Sequence, residues 1–350
     1  MYISIGVIAH NEENTMRSIL EDILAQDYPH ENIEVVLVDS ASTDGTKKIM
    51  QEFADNNHNN KGVMHFKAVQ VLDNPKKTQP AGWNVVLKAF TGEAIIRVDA
   101  HASIPSDFVR KNVAALESGE DVVGGMRPNI VDEPTKWKET LLLAESSMFG
   151  SSIAPYRNNI GKTYVKSMFH AAYRREVFEK VGLFNEKLIR TEDNEMHYRI
   201  REAGYKLMFD SQIISYQHTR SSLGKMLKQK YSNGYWIGLT SGVCPKCLSL
   251  YHFVPFLFVT AIILSVPGTW INAMIFPTFN LIGLLTAVMW SMYGLLAVAM
   301  AVIAVIGAGD KANWTSVSLP ILFLLLHVSY GVGTLVGFIK LPAWLKGIKR

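Results

Sequence analysis

The residues best suited to chemistry fall in four short clusters. The first is Asp99-Ala100-His101, where VDAH closes an apolar run. Two positions apart on a loop leaving a strand, a carboxylate and an imidazole can turn the same way and reach one divalent cation. Such donors suit Mn2+ or Mg2+ when diphosphate oxygens complete an octahedron. The alternative is an Asp capping the next turn beside a solvated His. The second cluster is Thr191-Glu192-Asp193, which opens NEMHYRIREAGY. Thr191 can cap a helix there, and acids in its first turn complement the helix dipole. That role needs one acid, which leaves the other free as a general base. The third pairs His218 with Arg220 in YQHTRSSLGKML. These two could serve a metal and a diphosphate, or form an ordinary surface pair. The fourth joins IAHNEEN (8–14) to VDSASTDGT (38–46), with Asp39 at a strand end. It contains neither GxGxxG nor GxxxxGK[ST], so neither a dinucleotide fingerprint nor a P-loop is supported.

These clusters need a scaffold that brings them to one edge. The runs 2–9, 33–40, 64–72 and 93–102 are short, apolar and β-rich, and read as buried strands. Between them, helical spacing predicts helices over Met16–Leu24 (capped by Asn14), Thr46–Asn56 and 80–90. Strands alternating with helices indicate a mostly parallel α/β sheet, whose site lies at the strands' carboxyl ends. Asp39 and Asp99 both sit at such ends. Further on, 121–130 and 205–218 read as strand, 134–149 and 191–205 as helix, and 174–186 as a short helix ending in a turn.

Charge divides the chain. Of 66 charged residues, 60 lie at or before Lys246, and the 63 residues from Cys247 to Gly309 contain no Asp, Glu, Lys or Arg. The N-terminal part is neutral, so the net charge of +4 comes from the tail. That excludes a nucleic-acid binder working by bulk charge. Two hydrophobic spans fit in 251–272 and 281–307 and a third in 317–339. Two to four elements can be drawn, and three are favoured. Three spans after a cytosolic N-terminal part would place the basic LPAWLKGIKR outside, against the positive-inside rule, so the side of the C-terminus stays open. The opening apolar run stops at His10 and reads as a strand, not a leader. The expected organisation is a cytosolic domain over 1–220, an interfacial amphipathic segment over 221–248, a transmembrane region over 249–340 and a basic tail over 341–350. Residues 222–240 mix Lys with Tyr231, Tyr235 and Trp236. They suit either a membrane interface or a packed helix. Cys244 and Cys247 form a lone CPKC and read as ordinary thiols, since no second pair completes a zinc site.

In order, AHNEEN, VDSASTDGT, VDAH and RTEDNEMHYRIREAGYKL resemble the motifs of family-2 glycosyltransferases with the GT-A fold, over about residues 2–240. The pattern is most similar to membrane-anchored transferases of the succinoglycan exopolysaccharide type. The resemblance implies a nucleotide-sugar donor, with UDP favoured, and a membrane-associated, lipid-linked glycan acceptor at the cell membrane. It places Ala9 and Glu12 beside the base and ribose, Asp39 on the uracil ring and Lys77, Gln79 and Asn84 in the donor-side loop. Asp99 stands for the first acid of the metal motif. His101 replaces the second acid, His218 is expected to complete the Mn2+ or Mg2+ coordination, and Arg220 to face the diphosphate. Asp193 stands for the catalytic base of inverting members, with Glu192 beside it. Gln229-Lys230-Tyr231-Ser232 is not the QxxRW of processive synthases, so one sugar per acceptor is expected. A non-catalytic, membrane-tethered module binding a nucleotide-sugar or polyprenyl lipid is the rival reading. Transport is disfavoured by the few spans and the absence of charge within them.

Overall fold

The structure is a computed structural model that describes residues 1–58, 65–150, 160–218, 222–275 and 279–348. It divides into two compact units: Met1–Ile130 with Ala154–His218, and Val131–Ile153 with Thr219–Arg350.

The first unit is built on an eight-stranded sheet. Its strands are β1 (Ile3–Ala9), β2 (Ile33–Asp39), β3 (Ala68–Asp73), β4 (Ala94–Asp99), β6 (Val122–Met126), β8 (Lys162–Val165), β9 (Ala172–Arg174) and β10 (Leu207–Ile214). Their order is β3-β2-β1-β4-β9-β6-β10-β8. β1 to β4 run parallel, as do β6 and β10, while β9 is inserted antiparallel between β4 and β6 and β8 is an antiparallel edge strand. A small second sheet holds β5 (Ala102–Ser103), β7 (Asn129–Ile130) and β11 (Tyr216–His218). Alternation along each strand feeds two cores. Val35 and Leu37 face one layer with Met16, Ile19 and Ile23 of α1 (Glu13–Leu24) and Phe108 of α4 (Phe108–Glu117). Val36 and Val38 face the other, with Trp83 and Val86 of α3 (Gln79–Ala89) and Met196 and Ile200 of α7 (Glu192–Glu202). Each fully buried side chain of this size contributes about 1.5–3 kcal/mol.

Several boundaries differ from expectation. α1 starts before Asn14. Its first amides are capped from a distance, with Thr46 Oγ1 accepting from Glu12 N–H at 2.8 Å and Asp44 from Glu13 N–H at 3.2 Å. The strand over 93–102 stops at Asp99 and resumes as β5, leaving Ala100 and His101 in a turn. The stretch 121–130 splits into β6 and β7 at Arg127-Pro128, where proline offers no N–H to the ladder. The third strand begins at Ala68. α2 spans Thr46–His58, and α6 spans Arg175–Val181.

The second unit contains α5 (Lys136–Ser146), α8 (Leu223–Thr240), α9 (Val254–Ile275), α10 (Leu281–Ala308) and α11 (Leu319–Ile348). Among the described residues three stretches are long and apolar enough to cross a membrane: Leu250–Ile275, Leu281–Lys311 and Trp314–Gly347. α8 packs on α11 through glycines. A Cβ at Gly234 would collide with the Tyr330 carbonyl oxygen, and one at Gly238 would lie 2.9 Å from Gly337 Cα. Small residues four apart permit this backbone approach. Leu141 and Ala144 of α5 share an apolar cluster with Leu319, Leu322 and Phe323 of α11. Beside it, Lys230 donates to Glu145 at 3.3 Å, both side chains buried.

Candidate active site

Three parallel strands end in line. Ala9 pairs with Asp39 between β1 and β2, and Ile8 pairs with Asp99 between β1 and β4. The two acids therefore flank Ala9 at the carboxyl edge of the sheet, where α/β ligands bind. Asp39 is buried, and its carboxylate accepts from Ser42 N–H at 3.2 Å. Glu12 carries its carboxylate to within 3.3 Å of His101 Nδ1 and accepts from Thr15 Oγ1 at 3.0 Å.

Beside this edge lies a small hollow lined by Gln79, Arg97, Asp99, His170, Tyr173 and Asp193 together with Met168 and Phe169. Gln79, Asp99 and Asp193, drawn from three distant segments, all line it. Lys77 precedes the hollow's α3 at φ 60°. Asn84 stands apart: it accepts from Phe184 N–H at 2.8 Å and donates to the Phe184 carbonyl at 3.0 Å. His218 lies in the small sheet, its Nε2 2.9 Å from Ser103 Oγ. Arg220 lies outside the described residues.

Asp193 is held by a residue that motif reading passes over. Arg97 Nη1 donates to Asp193 Oδ1 at 2.6 Å. The guanidinium is buried between the rings of Trp83 and Phe184, 4.2 and 4.8 Å from their centroids. Asn84, by clamping Phe184, supports one wall of that sandwich. Burial works against the Arg97 charge, but the Asp193 carboxylate outweighs it and keeps Arg97 protonated. Glu192 faces inward. Burial, reinforced by the neighbouring Asp193 charge, pushes its carboxyl well above the ordinary range. The two adjacent acids are thereby set apart, one in an ion pair and one favoured as the neutral acid. Behind them His197 bonds Tyr173 Oη at 2.8 Å and Ser167 Oγ at 3.0 Å, and burial drops its pKa to about 4.

Asp99 lines the same hollow with its side chain partly buried. Burial would raise its carboxyl, yet His170, His101 and Arg127 together hold it below the usual carboxylate range. The carboxylate is a donor that suits Mn2+ or Mg2+, and an imidazole beside it can add a nitrogen donor. Among the described residues no three His, Cys, Asp or Glu side chains form a complete metal group. The remaining positions would fall to phosphate oxygens and water, as is usual for Mg2+. Arg97 left a signal in sequence, as a charged residue inside the apolar AIIRVD two positions before Asp99 and so on the same strand face. His170, in SMFHAAYRR, left none.

Comparison with known proteins agrees with this architecture. The model described as glycosyl transferase family 2 matches residues 4–182, and glycosyl transferase family group 2 matches 94–335. The chain is 28% identical over 245 residues to the dolichyl N-acetyl-alpha-D-glucosaminyl phosphate 3-beta-D-2,3-diacetamido-2,3-dideoxy-beta-D-glucuronosyltransferase of Methanococcus voltae, covering 68% of this chain and 73% of that one. It is 30% identical over 228 residues to the succinoglycan biosynthesis protein ExoA of Rhizobium meliloti, covering 64% and 65%. In fold it is similar to the mannosyltransferase PcManGT of Pyrobaculum calidifontis, solved with GDP-Man and Mn2+. The TM-score is 0.56 at 19% identity, over 95% of this chain and 87% of the other. With a GT-A sheet, acids gathered at its carboxyl edge and a family match over half its length, the chain belongs to glycosyl transferase family 2.

Proposed function

We propose that the protein is a non-processive, inverting, metal-assisted glycosyltransferase that moves a sugar from a nucleotide-sugar, with UDP as the favoured carrier, to a lipid-linked glycan acceptor. The observation that carries this reading is the meeting of Asp99 and Asp193 in one hollow at the strand ends. Asp193 Oδ2 takes the proton of the acceptor hydroxyl. The hydroxyl oxygen forms the new bond to the anomeric carbon from the face opposite the nucleotide. The anomeric C–O bond breaks as its electron pair leaves with the nucleoside diphosphate. Arg97 holds Asp193 in place by its other oxygen. Asp39 reads the base, Ala9 and Glu12 border the ribose, and Gln79 with Lys77 borders the sugar phosphate. The role proposed for Arg220 is to neutralise the departing diphosphate. Asp99 and the imidazoles beside it would hold Mn2+ or Mg2+, which as a Lewis acid neutralises charge on the leaving oxygens.

The lipid-linked acceptor is supported by the three apolar helices and by the dolichyl and undecaprenyl phosphates in the names of relatives. The proposed location is the cell membrane, with the catalytic unit on the cytosolic side, where the soluble donor would be met. A positioned general base contributes about 10²–10⁴-fold, so Asp193→Asn should lower sugar transfer by about that factor. Release of UDP from each candidate UDP-sugar, with Mn2+ or Mg2+ and with EDTA, measures donor choice and metal need. Transfer by Asp193→Asn within tenfold of the parent would assign the base elsewhere. A parent protein that binds UDP-sugars and never turns them over would instead be the tethered binding module.

A further inference from the structure

We propose that α9 and α10 are the helices that cross the membrane, while α8 and α11 lie flat, side by side, in the headgroup layer of its cytosolic face. The apolar α11 is then a surface for lipid headgroups and not a third crossing. Nothing in this arrangement depends on the donor that the first unit takes.

α8 and α11 run parallel in fixed register. Ser329 Oγ donates to the Leu227 carbonyl at 2.8 Å. A Cβ on Gly333 would strike the Tyr231 carbonyl, and one on Gly337 would strike the Tyr235 carbonyl. Each step is four residues on both helices, so the pair stays level along its contact. The helices start together, with Met226 in one apolar cluster with Leu319, Leu322 and Phe323. They end together, where a Cβ on Gly242 would meet the Leu341 side chain. Were α11 to cross, α8 would cross beside it. A hairpin of α9 and α10, each long and apolar enough to span, would then return the chain to the far side. Yet α11 starts on the near side, joined to α10 by 309–318 alone. With α8 and α11 flat, the hairpin leaves from one face and returns to it.

Charge selects this solution over one in which α8 and α11 cross and α9 or α10 does not. α9 and α10 contain no charged residue, whereas α8 carries Lys225, Lys228 and Lys230, which are costly at the bilayer centre. The exposed Lys225, Lys228, Lys246, Lys340 and Lys346 sit at both ends of the pair. Only a flat pair puts them all on the side that the positive-inside rule requires. Asp310 is the one acid between Thr219 and Arg350, which suits anionic headgroups. Tyr231, Tyr235, Trp236 and Trp344 follow one another with ring centroids 6.1 to 6.4 Å apart. Such rings favour headgroup depth, and a row along a helix keeps one depth when the helix lies flat.

The test is side-specific labelling by a membrane-impermeant maleimide, in intact cells and in inside-out vesicles. Single cysteines are placed in the full chain with Cys244 and Cys247 changed to alanine or, as a second background, to serine. Gly224→Cys and Gly347→Cys use sites where an added Cβ meets nothing within 4 Å. Phe279→Cys marks the turn between α9 and α10, where the side chain is exposed. Positions 224 and 347 should react in inside-out vesicles only, and position 279 in intact cells only. Position 347 reacting in intact cells, or in neither preparation, would overturn the proposal by placing α11 across or within the bilayer. Position 279 reacting in inside-out vesicles would overturn it as well. If no cysteine background folds, an epitope appended after Arg350 of the unaltered chain decides. Antibody should reach it only after cells are permeabilised, and binding to intact cells would refute the flat α11.

Discussion

Asp193 meets the protein interior through a single guanidinium. Arg97 can hold it because three things coincide: a buried strand position, two flanking aromatic faces and a carboxylate 2.6 Å away. Lysine cannot reproduce the planar fork or the stacking, so Arg97→Lys should lower kcat more than it raises KM. Arg97→Met should do the same and also lower stability, because stranding one member of a buried pair costs about 3–5 kcal/mol. Steady-state kinetics beside a thermal melt tells the two effects apart. His197 makes a pH prediction. Burial sets its folded pKa at about 4 against 6.5 for the free side chain, so the unfolded chain binds the extra proton first. Stability is therefore full above about pH 6.5 and falls as pH drops toward 4, by roughly 3 kcal/mol. Melting of His197→Gln across that window should show a shallower slope. Sequence made the acids legible because their neighbours are conspicuous, as in VDAH and TED. His170 was not legible, because its partners Asp99 and Ser215 lie 71 and 45 residues away and only folding joins them.

Helices were legible where their apolar period was unbroken, as in α7 and the three spans. α4 was passed over although Val109, Val113 and Leu116 recur at helical spacing. β9 had no such pattern to find, since three residues cannot display a period. The segment over 222–240 left two readings open, and its glycines show what it packs on. Gly234 and Gly238 are four apart, opposite Gly333 and Gly337 of α11, so α8 is a packed helix whatever lipid it also touches. Gly234→Val should drive a side chain into the Tyr330 carbonyl and lower the melting temperature by several degrees. Gly224→Ala, where an added Cβ meets nothing within 4 Å, should leave it unchanged. Differential scanning fluorimetry in detergent compares the pair. Glu145→Ala is expected to destabilise by about 3–5 kcal/mol, since it removes the carboxylate 3.3 Å from the buried Lys230 ammonium.

At the scale of the molecule, alternation of strands and helices was enough to anticipate the sheet, and the uncharged 63-residue run was enough to anticipate two of the three spans. Neither could show that Val131–Ile153 leaves the first unit and joins the second. That excursion depends on contacts as remote as Thr140 Oγ1 with Thr315 Oγ1 at 2.6 Å and His327 Nε2 with the Phe149 carbonyl at 2.6 Å. A chain ending at residue 220 would leave Leu141 and Ala144 without their α11 partners, so it should aggregate unless detergent is present, as size-exclusion chromatography would show. Production of the chain faces the same gap in time. Thr140 and Thr315 are 175 residues apart, and at about 5–20 residues per second the ribosome needs roughly ten to thirty seconds to cover that distance. For that interval α5 waits with its apolar face unmatched, which makes it a point where a holding chaperone or the insertion machinery would have to act.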